Sequence, residues 1–350
     1  MIKNNLGTSL LIVLLVFAFS CQNDDEVTPL GKYSEGVLIS NEGNFSDGDG
    51  STGFYSITSK EVSFKIFENE NGRPFGGLMQ SIGIHDKYAY LINNLGSSIE
   101  IVDVSTFESI KQILAGLSNP RYFASEGTSA FISNWGPYAE DFSSPESFLA
   151  VLDTEENLLG EKIEVPSRPE GLITNNGKLF VSSLASSVIT VIDVSTKEVV
   201  GSIEVGFGPS NFVQDKSGFL WVICSDGSLM KIDPAANTVL EEVNIPNPSG
   251  KLAIDGSGET LYVLTSTYAP DFSYTENGVL KLNTASPQLQ TEIFATENLY
   301  GIGVDPESNI IYLANSNAFL GNGTIIRIDS EGIEIDNFPS GRGPNGFVFR

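Results

Sequence analysis

The side chains that most often carry catalysis are sparse in this sequence. It holds one histidine, His85, in Ile84-His85-Asp86-Lys87-Tyr88, a turn between two alternating segments. A Ser-His-Asp triad built on a turn histidine is geometrically awkward, and such a histidine is usually a solvated one. Histidine-rich metal sites are excluded by count. Asp47-Gly48-Asp49-Gly50 opens like a calcium loop, but no ligand-spaced glutamate follows. No glycine pattern stands between a strand and a helix, where phosphates would be cradled. Glu170 and Asp141 could serve as paired carboxylates for sugar chemistry, though nothing in the spacing fixes their separation. Cys224, in Trp221-Val222-Ile223-Cys224, reads as a small buried hydrophobe. The sequence therefore assigns no catalytic residue, metal or cofactor, and argues against an enzyme; a lactonase or lyase is the lesser alternative.

The sequence does offer contact surface. Trp135, Tyr138, Tyr268, Phe272 and Tyr300 lie in or beside long loops and would be stacking surfaces. Asn94, Asn134, Asn315 and Asn345 would be amide partners, and Arg121 a polar anchor. Tyr and Trp combine large contact area with a polar tip, and Asn adds adaptable hydrogen bonding. That set suits a large amphipathic ligand, uncharged or cationic and bearing amides; a corrinoid fits, as do some glycans. The plainer reading is that the aromatics only fold their loops down.

The elements that must position these residues repeat along the chain. Lys178-Leu179-Phe180-Val181-Ser182-Ser183 alternates as a strand does. Val188-Ile189-Thr190-Val191-Ile192-Asp193 alternates again and ends in Asp, and Ser195-Thr196-Lys197 is turn chemistry before a third strand. The pattern recurs at Tyr90 to Asp103, Leu220 to Asp233, Leu261 to Asn283 and Ile311 to Asp329, and more loosely at Phe131 to Asp153 and Val37 to Ile57. About seven units with a period of about 40–50 residues predict an all-β, seven-bladed β-propeller. Each unit opens at a Pro or Gly turn, as at Pro120, Pro169, Pro209, Pro248 and Pro344. The unit at Val37 has no such opening strand, while the turn at Pro344 is followed only by Gly346 to Arg350. Pairing Gly346–Phe349 with Val37–Ser40 would close the ring by strand exchange between the two ends and remove its exposed edges.

In an up-and-down blade, successive loops alternate between the two faces. One face then collects the Pro turns and the long aromatic loops, and the other carries short turns such as Ser195-Thr196 and includes His85. Binding residues concentrate on loops held by a rigid scaffold. A net charge of −25 argues against nucleic acid and against direct attraction to anionic lipid.

The N-terminus predicts export. Leu10 to Phe19 is apolar but too short to span a bilayer, and reads as the core of a signal peptide over 1–20. Ala18-Phe19-Ser20-Cys21 resembles a bacterial lipobox, with cleavage before Cys21 and acylation of its sulfur; Phe19 departs from the usual small residue. Residues 21–35 would be a lipidated tether. Its acidic run Asp24-Asp25-Glu26 resembles the surface-export signal of Bacteroidota lipoproteins. The propeller would occupy 36–350 as one domain, and the protein would sit at the outer membrane, lipid-anchored and facing the exterior.

The unit from Pro169-Glu170-Gly171 through Val191-Ile192-Asp193-Val194-Ser195-Thr196 to Gly206-Phe207-Gly208-Pro209 resembles YVTN-type propeller repeats. The opening Gly36-Val37-Leu38-Ile39-Ser40-Asn41-Glu42-Gly43-Asn44-Phe45 resembles YncE-like surface lipoproteins of Bacteroidota. The resemblance covers almost the whole chain and implies capture of a nutrient, cobalamin or another corrinoid, for a TonB-dependent outer-membrane transporter. A repeat motif specifies fold better than ligand, so a protein-interaction or adhesion scaffold is the alternative.

Overall fold

The computed structural model describes residues 31–271 and 275–350. The expected signal peptide, Cys21, the first part of the tether and Phe272 lie outside them. Residues 31–350 form one compact unit.

Its strands make seven four-stranded antiparallel sheets, arranged as the blades of a propeller whose innermost strands pack on one another in succession. Blade 2 spans 79–113, blade 3 spans 120–164, blade 4 spans 169–204, blade 5 spans 209–244, blade 6 spans 248–297 and blade 7 spans 299–342. Both faces of a blade are covered by its neighbours, so the middle strands are buried on both sides: all of Leu220–Cys224 is buried, as are Leu261 to Leu264. Between blades 5 and 6, Trp221 and Ile223 pack with Leu261 and Val263. Outermost strands such as Val199–Glu204 keep Ile203 buried and leave most of their other residues exposed.

Blade 1 is completed from the two ends of the sequence. Val37–Asn41, Ser51–Tyr55 and Val62–Ser63 supply three strands and Pro344–Phe349 the innermost one. The register pairs Val37 with Phe349, Leu38 with Val348, Ile39 with Phe347 and Ser40 with Gly346, as the missing opening strand at Val37 predicts. Arg350 extends the seam: its N–H donates to Gly36 O at 2.9 Å, and its guanidinium donates to Tyr33 O at 2.9 Å and Val104 O at 2.6 Å.

The short turns on the plain face share one device. Asp193 Oδ1 accepts from the N–H groups of Ser195 and Thr196, both at 2.9 Å, and Asp103, Asp153 and Asp233 do the same two and three residues on. An aspartate that bonds its own backbone two residues ahead is an Asx turn. The Ser195 hydroxyl and these amides hold the Asp193 carboxyl below its ordinary pKa.

Cys224 is fully buried in the second strand of blade 5. Burial, reinforced by Asp226, pushes its thiol up to about 12. Because the thiolate is the nucleophile, Cys224 is expected to resist iodoacetamide at pH 8 in the native protein and to react fully in guanidinium; peptide mapping of the alkylated protein reads this, and rapid native labelling would contradict the burial.

Candidate functional site at the channel mouth

The residue before the innermost strand takes a positive φ in blade after blade: Asn119 (47°), Arg168 (58°), Gly208 (69°), Asn247 (46°), Asn298 (60°) and Gly343 (59°). Asn and Gly tolerate that region best. The register of each innermost strand then shifts within its first residues. A bulge re-aims the side chain that follows it.

In blades 2, 3 and 4 those residues meet. Arg121 Nε and Nη2 grip Glu170 at 3.0 and 2.8 Å, and Nη1 donates to Gln80 Oε1 at 2.5 Å. The pair is largely buried. Burial works against the guanidinium charge, but the Glu170 carboxylate outweighs it and raises the Arg121 pKa. Trp135 completes the group. Its Nε1 donates to Pro169 O and Glu170 Oε2, each at 3.1 Å, and the Arg121 guanidinium lies 4.3 Å from the ring. Arg168 approaches the same ring at 5.4 Å, and Tyr138 meets it edge-on at 6.4 Å.

Blades 3 and 6 touch across the channel. Lys251 Nζ donates to the Tyr122 hydroxyl at 3.2 Å, and the ammonium lies 5.9 Å from both the Tyr122 and the Tyr300 ring centroids. The Tyr300 hydroxyl donates to Glu42 Oε2 at 2.8 Å; burial and the Glu42 charge hold its pKa well above the ordinary value. Above Lys251, between blades 6 and 7, is a cavity of about 300 Å³ walled by Tyr268, Tyr300 and Phe319. Within the channel a second cavity, of about 200 Å³, is lined by Gln80, Tyr122, Asn211 and again Lys251. Phe319 meets Tyr300 edge-on at 5.1 Å and packs against Gly343. At φ 59° a Cβ on Gly343 would stand 2.5 Å from the Phe319 ring, so this wall requires glycine there.

The expected site residues separate into two groups. Trp135, Tyr138 and Arg121 gather at blades 3 and 4; Tyr268 and Tyr300 wall the cavity between blades 6 and 7. The asparagines are engaged with the scaffold. Asn134 is fully buried, donating to Ile132 O at 2.9 Å and accepting from Ser118 N–H at 3.0 Å. Asn345 accepts from Ser40 Oγ at 2.5 Å and donates to Met79 O and Gln80 O at 3.2 and 3.1 Å. Asn315 donates to Glu297 O at 2.8 Å, and Asn94 to Pro120 O at 3.2 Å. Asn competes strongly for nearby backbone groups, and that competition accounts for the contacts these amides make. Sequence reasoning missed Gln80, Tyr122, Lys251 and Phe319. The first three stand one to three residues past the opening of an innermost strand, a spacing the Pro turns could have supplied for Tyr122 and Lys251; Phe319 closes the stretch Asn315 to Phe319, which reads as a long loop on the same face, so it carried the signal that marked Tyr268.

The aspartates of the 47–50 loop are engaged too. Asp47 and Asp49 both pair with Arg342, Asp49 at 3.5 Å. On the opposite face His85 Nδ1 contacts Ser125 Oγ at 3.1 Å.

Fold and channel mouth together define a seven-bladed β-propeller with one elaborated face. The chain belongs to the family described as a domain of unknown function, DUF5074, whose model matches residues 35–340. No curated protein matches it. Among solved structures it is similar to a quinonprotein alcohol dehydrogenase-like protein from Bacteroides thetaiotaomicron, at 15% identity and a TM-score of 0.67 over 91% of this chain and 78% of that one. It is similar to the hydrazine synthase of Kuenenia stuttgartiensis, at 19% identity and a TM-score of 0.60 over 73% and 84%. It is also similar to dihydro-heme d1 dehydrogenase NirN in complex with DHE, at 12% identity and a TM-score of 0.56 over 92% and 77%. At such identities the likeness is one of fold. It corrects the expectation that this is not an enzyme: structures of this shape include a hydrazine synthase and a dehydrogenase, so a shortage of histidine does not exclude activity and the fold is compatible with it.

Proposed function

We propose that the long-loop face captures a large amphipathic ligand, with a corrinoid as the leading candidate, and delivers it to a TonB-dependent outer-membrane transporter. In this reading an acyl chain on Cys21 holds the protein at the outer membrane, facing outward. The observation that carries the proposal is the aromatic-walled cavity of about 300 Å³ that opens beside a belt of buried charged and amide groups. Apolar walls with a few placed polar groups are the usual make-up of a small-molecule site. Tyr268 is 61% exposed and forms part of the cavity wall, and an aromatic ring in such a wall offers stacking surface to a ligand. One protein of similar fold, dihydro-heme d1 dehydrogenase NirN, is in complex with DHE, so a propeller of this shape can carry an organic ligand. Catalysis on the bound molecule is compatible with the fold and is a separate question from capture.

Calorimetric titration with cyanocobalamin and cobinamide tests the proposal. Binding is expected, with Tyr268→Ala and Phe319→Ala each weakening it by about tenfold or more, the loss typical of one well-packed aromatic contact. The Lys216→Gln variant, at an exposed pair with Glu259, should bind like the parent. No heat with either corrinoid would overturn the ligand assignment and turn attention to an interaction scaffold. Binding indifferent to both aromatic variants would overturn the site.

A further inference from the structure

A chain of net charge −25 keeps a cation, Lys251, at the channel mouth that pairs with no carboxylate among the described residues. Arg121 is matched by Glu170. Lys251 has the Tyr122 hydroxyl as its hydrogen-bond partner, and among the described residues its ammonium enters no ion pair. It lines both the cavity between blades 6 and 7 and the one in the channel. Burial disfavours its charge, yet the Tyr122 hydroxyl and the Glu170 carboxylate outweigh that and its pKa is raised; it stays an ammonium with donors to spare. A second, independent feature lies two residues away. Ser249 lines the upper cavity beside Lys251, and its Oγ is buried without a hydrogen-bond partner among the described residues. A buried orphan hydroxyl costs stability, and such a group in a native structure calls for an explanation. Both features stem from local sequence. Blade 6 carries an extra residue where its innermost strand begins, shifting its register by two between Pro248 and Lys251 where blade 3 shifts by one between Pro120 and Phe123.

We propose that Lys251 and Ser249 form an anion subsite at the floor of the capture cavity, taking a phosphate group. The ammonium supplies charge and the hydroxyl a directed donor; charge-assisted hydrogen bonds of this kind are the stronger ones. The subsite rests on the capture reading for its purpose, because the phosphate would be one carried by the captured ligand. It deepens that reading: the ligand is amphipathic with an anionic appendage, not merely uncharged or cationic. Of the two corrinoids, cyanocobalamin has a phosphodiester in its nucleotide loop and cobinamide lacks it, so they separate the subsite from the rest of the cavity.

Two measurements on the full chain decide the matter. In the first, inorganic phosphate is titrated against thermal unfolding at constant ionic strength, with chloride as the exchange ion. The parent is expected to show a saturable rise in Tm, which Lys251→Gln abolishes, Lys251→Arg retains and Ser249→Ala reduces, while Lys216→Gln behaves as the parent. No saturable rise in the parent, or one unchanged in Lys251→Gln, overturns the subsite. In the second, the two corrinoids are titrated calorimetrically. Lys251→Gln should weaken cyanocobalamin about tenfold or more and cobinamide less than about twofold. Equal losses for both would make Lys251 a packing residue and overturn its role as a phosphate ligand. If neither corrinoid binds the parent, the corrinoid reading fails and the phosphate titration alone decides the subsite, with free phosphate as its source.

Discussion

Deleting residues 344–350 is expected to abolish cooperative folding rather than to loosen one blade. Pro344–Phe349 is the innermost strand of blade 1 and ties the last blade covalently into the first. Phe347 and Phe349 pack against Tyr312 at centroid distances of 5.8 and 5.2 Å, and Val348 packs into the cluster around Leu38 and Met79. Burying one such side chain contributes roughly 1.5–3 kcal/mol; three partly buried ones give about 4 kcal/mol before any backbone hydrogen bond is counted. A domain has about 5–15 kcal/mol in total. Loss of the strand also bares the edge of Val37–Asn41, an open template for aggregation. Calorimetry of the truncated chain should show no sharp transition and the protein should sediment as aggregate. A truncated chain that melts within a few degrees of the parent would mean the ring does not depend on this closure. Phe349→Ala should be milder, at about 2 kcal/mol.

Glu170→Ala is expected to cost about 3 kcal/mol, far more than a surface substitution. The Glu170 carboxylate is bound by both arms of Arg121 and by the Trp135 indole. Removing it strands an Arg121 side chain that is only 17% exposed, and breaking a buried pair by removing one partner typically costs about 3–5 kcal/mol. Arg121→Ala should cost a similar amount. The double substitution should cost less than the sum of the two by about 2 kcal/mol, because neither charge is then left alone. Urea unfolding of the four proteins reads this cycle. Strict additivity would show that the two residues act independently and that the belt at the channel mouth is not a coupled network.

How much of this was legible in the sequence depended on whether the cause was local. Alternation at Leu179 to Ser183 and at Val188 to Ile192 announces strands, because side chains alternate between faces whatever the rest of the chain does. Asp193-Val194-Ser195-Thr196 announces its own turn for the same reason. Strand exchange was legible because a Pro turn at Pro344 led to a strand with no successor while Val37 lacked a predecessor. Residues of the channel mouth were legible only in part. Trp135 and Tyr268 declared themselves as aromatics in stretches that read as long loops, although Tyr268 in fact closes the second strand of blade 6. Asn134 and Asn345 look equally exposed in a sequence, and only the folded chain reveals that backbone groups claim their amides. Lys251 and Tyr122 lie 129 positions apart and in opposite blades; no periodicity within a blade specifies a contact across the ring. The negative conclusion about catalysis failed for a different reason. It was drawn from residue counts, whereas propellers host enzymes by the placement of a few groups on a common scaffold.

Hydrogen–deuterium exchange of the full chain with and without saturating cyanocobalamin tests the capture face most directly. Protection is expected in the loops around Tyr268, Tyr300 and Phe319 and at the start of the blade 6 innermost strand near Lys251, with the Asp103 and Asp193 turns unchanged. Ligand-dependent protection at those turns and none at the long loops would contradict the account by placing the site on the other face, and no protection anywhere would contradict corrinoid capture itself.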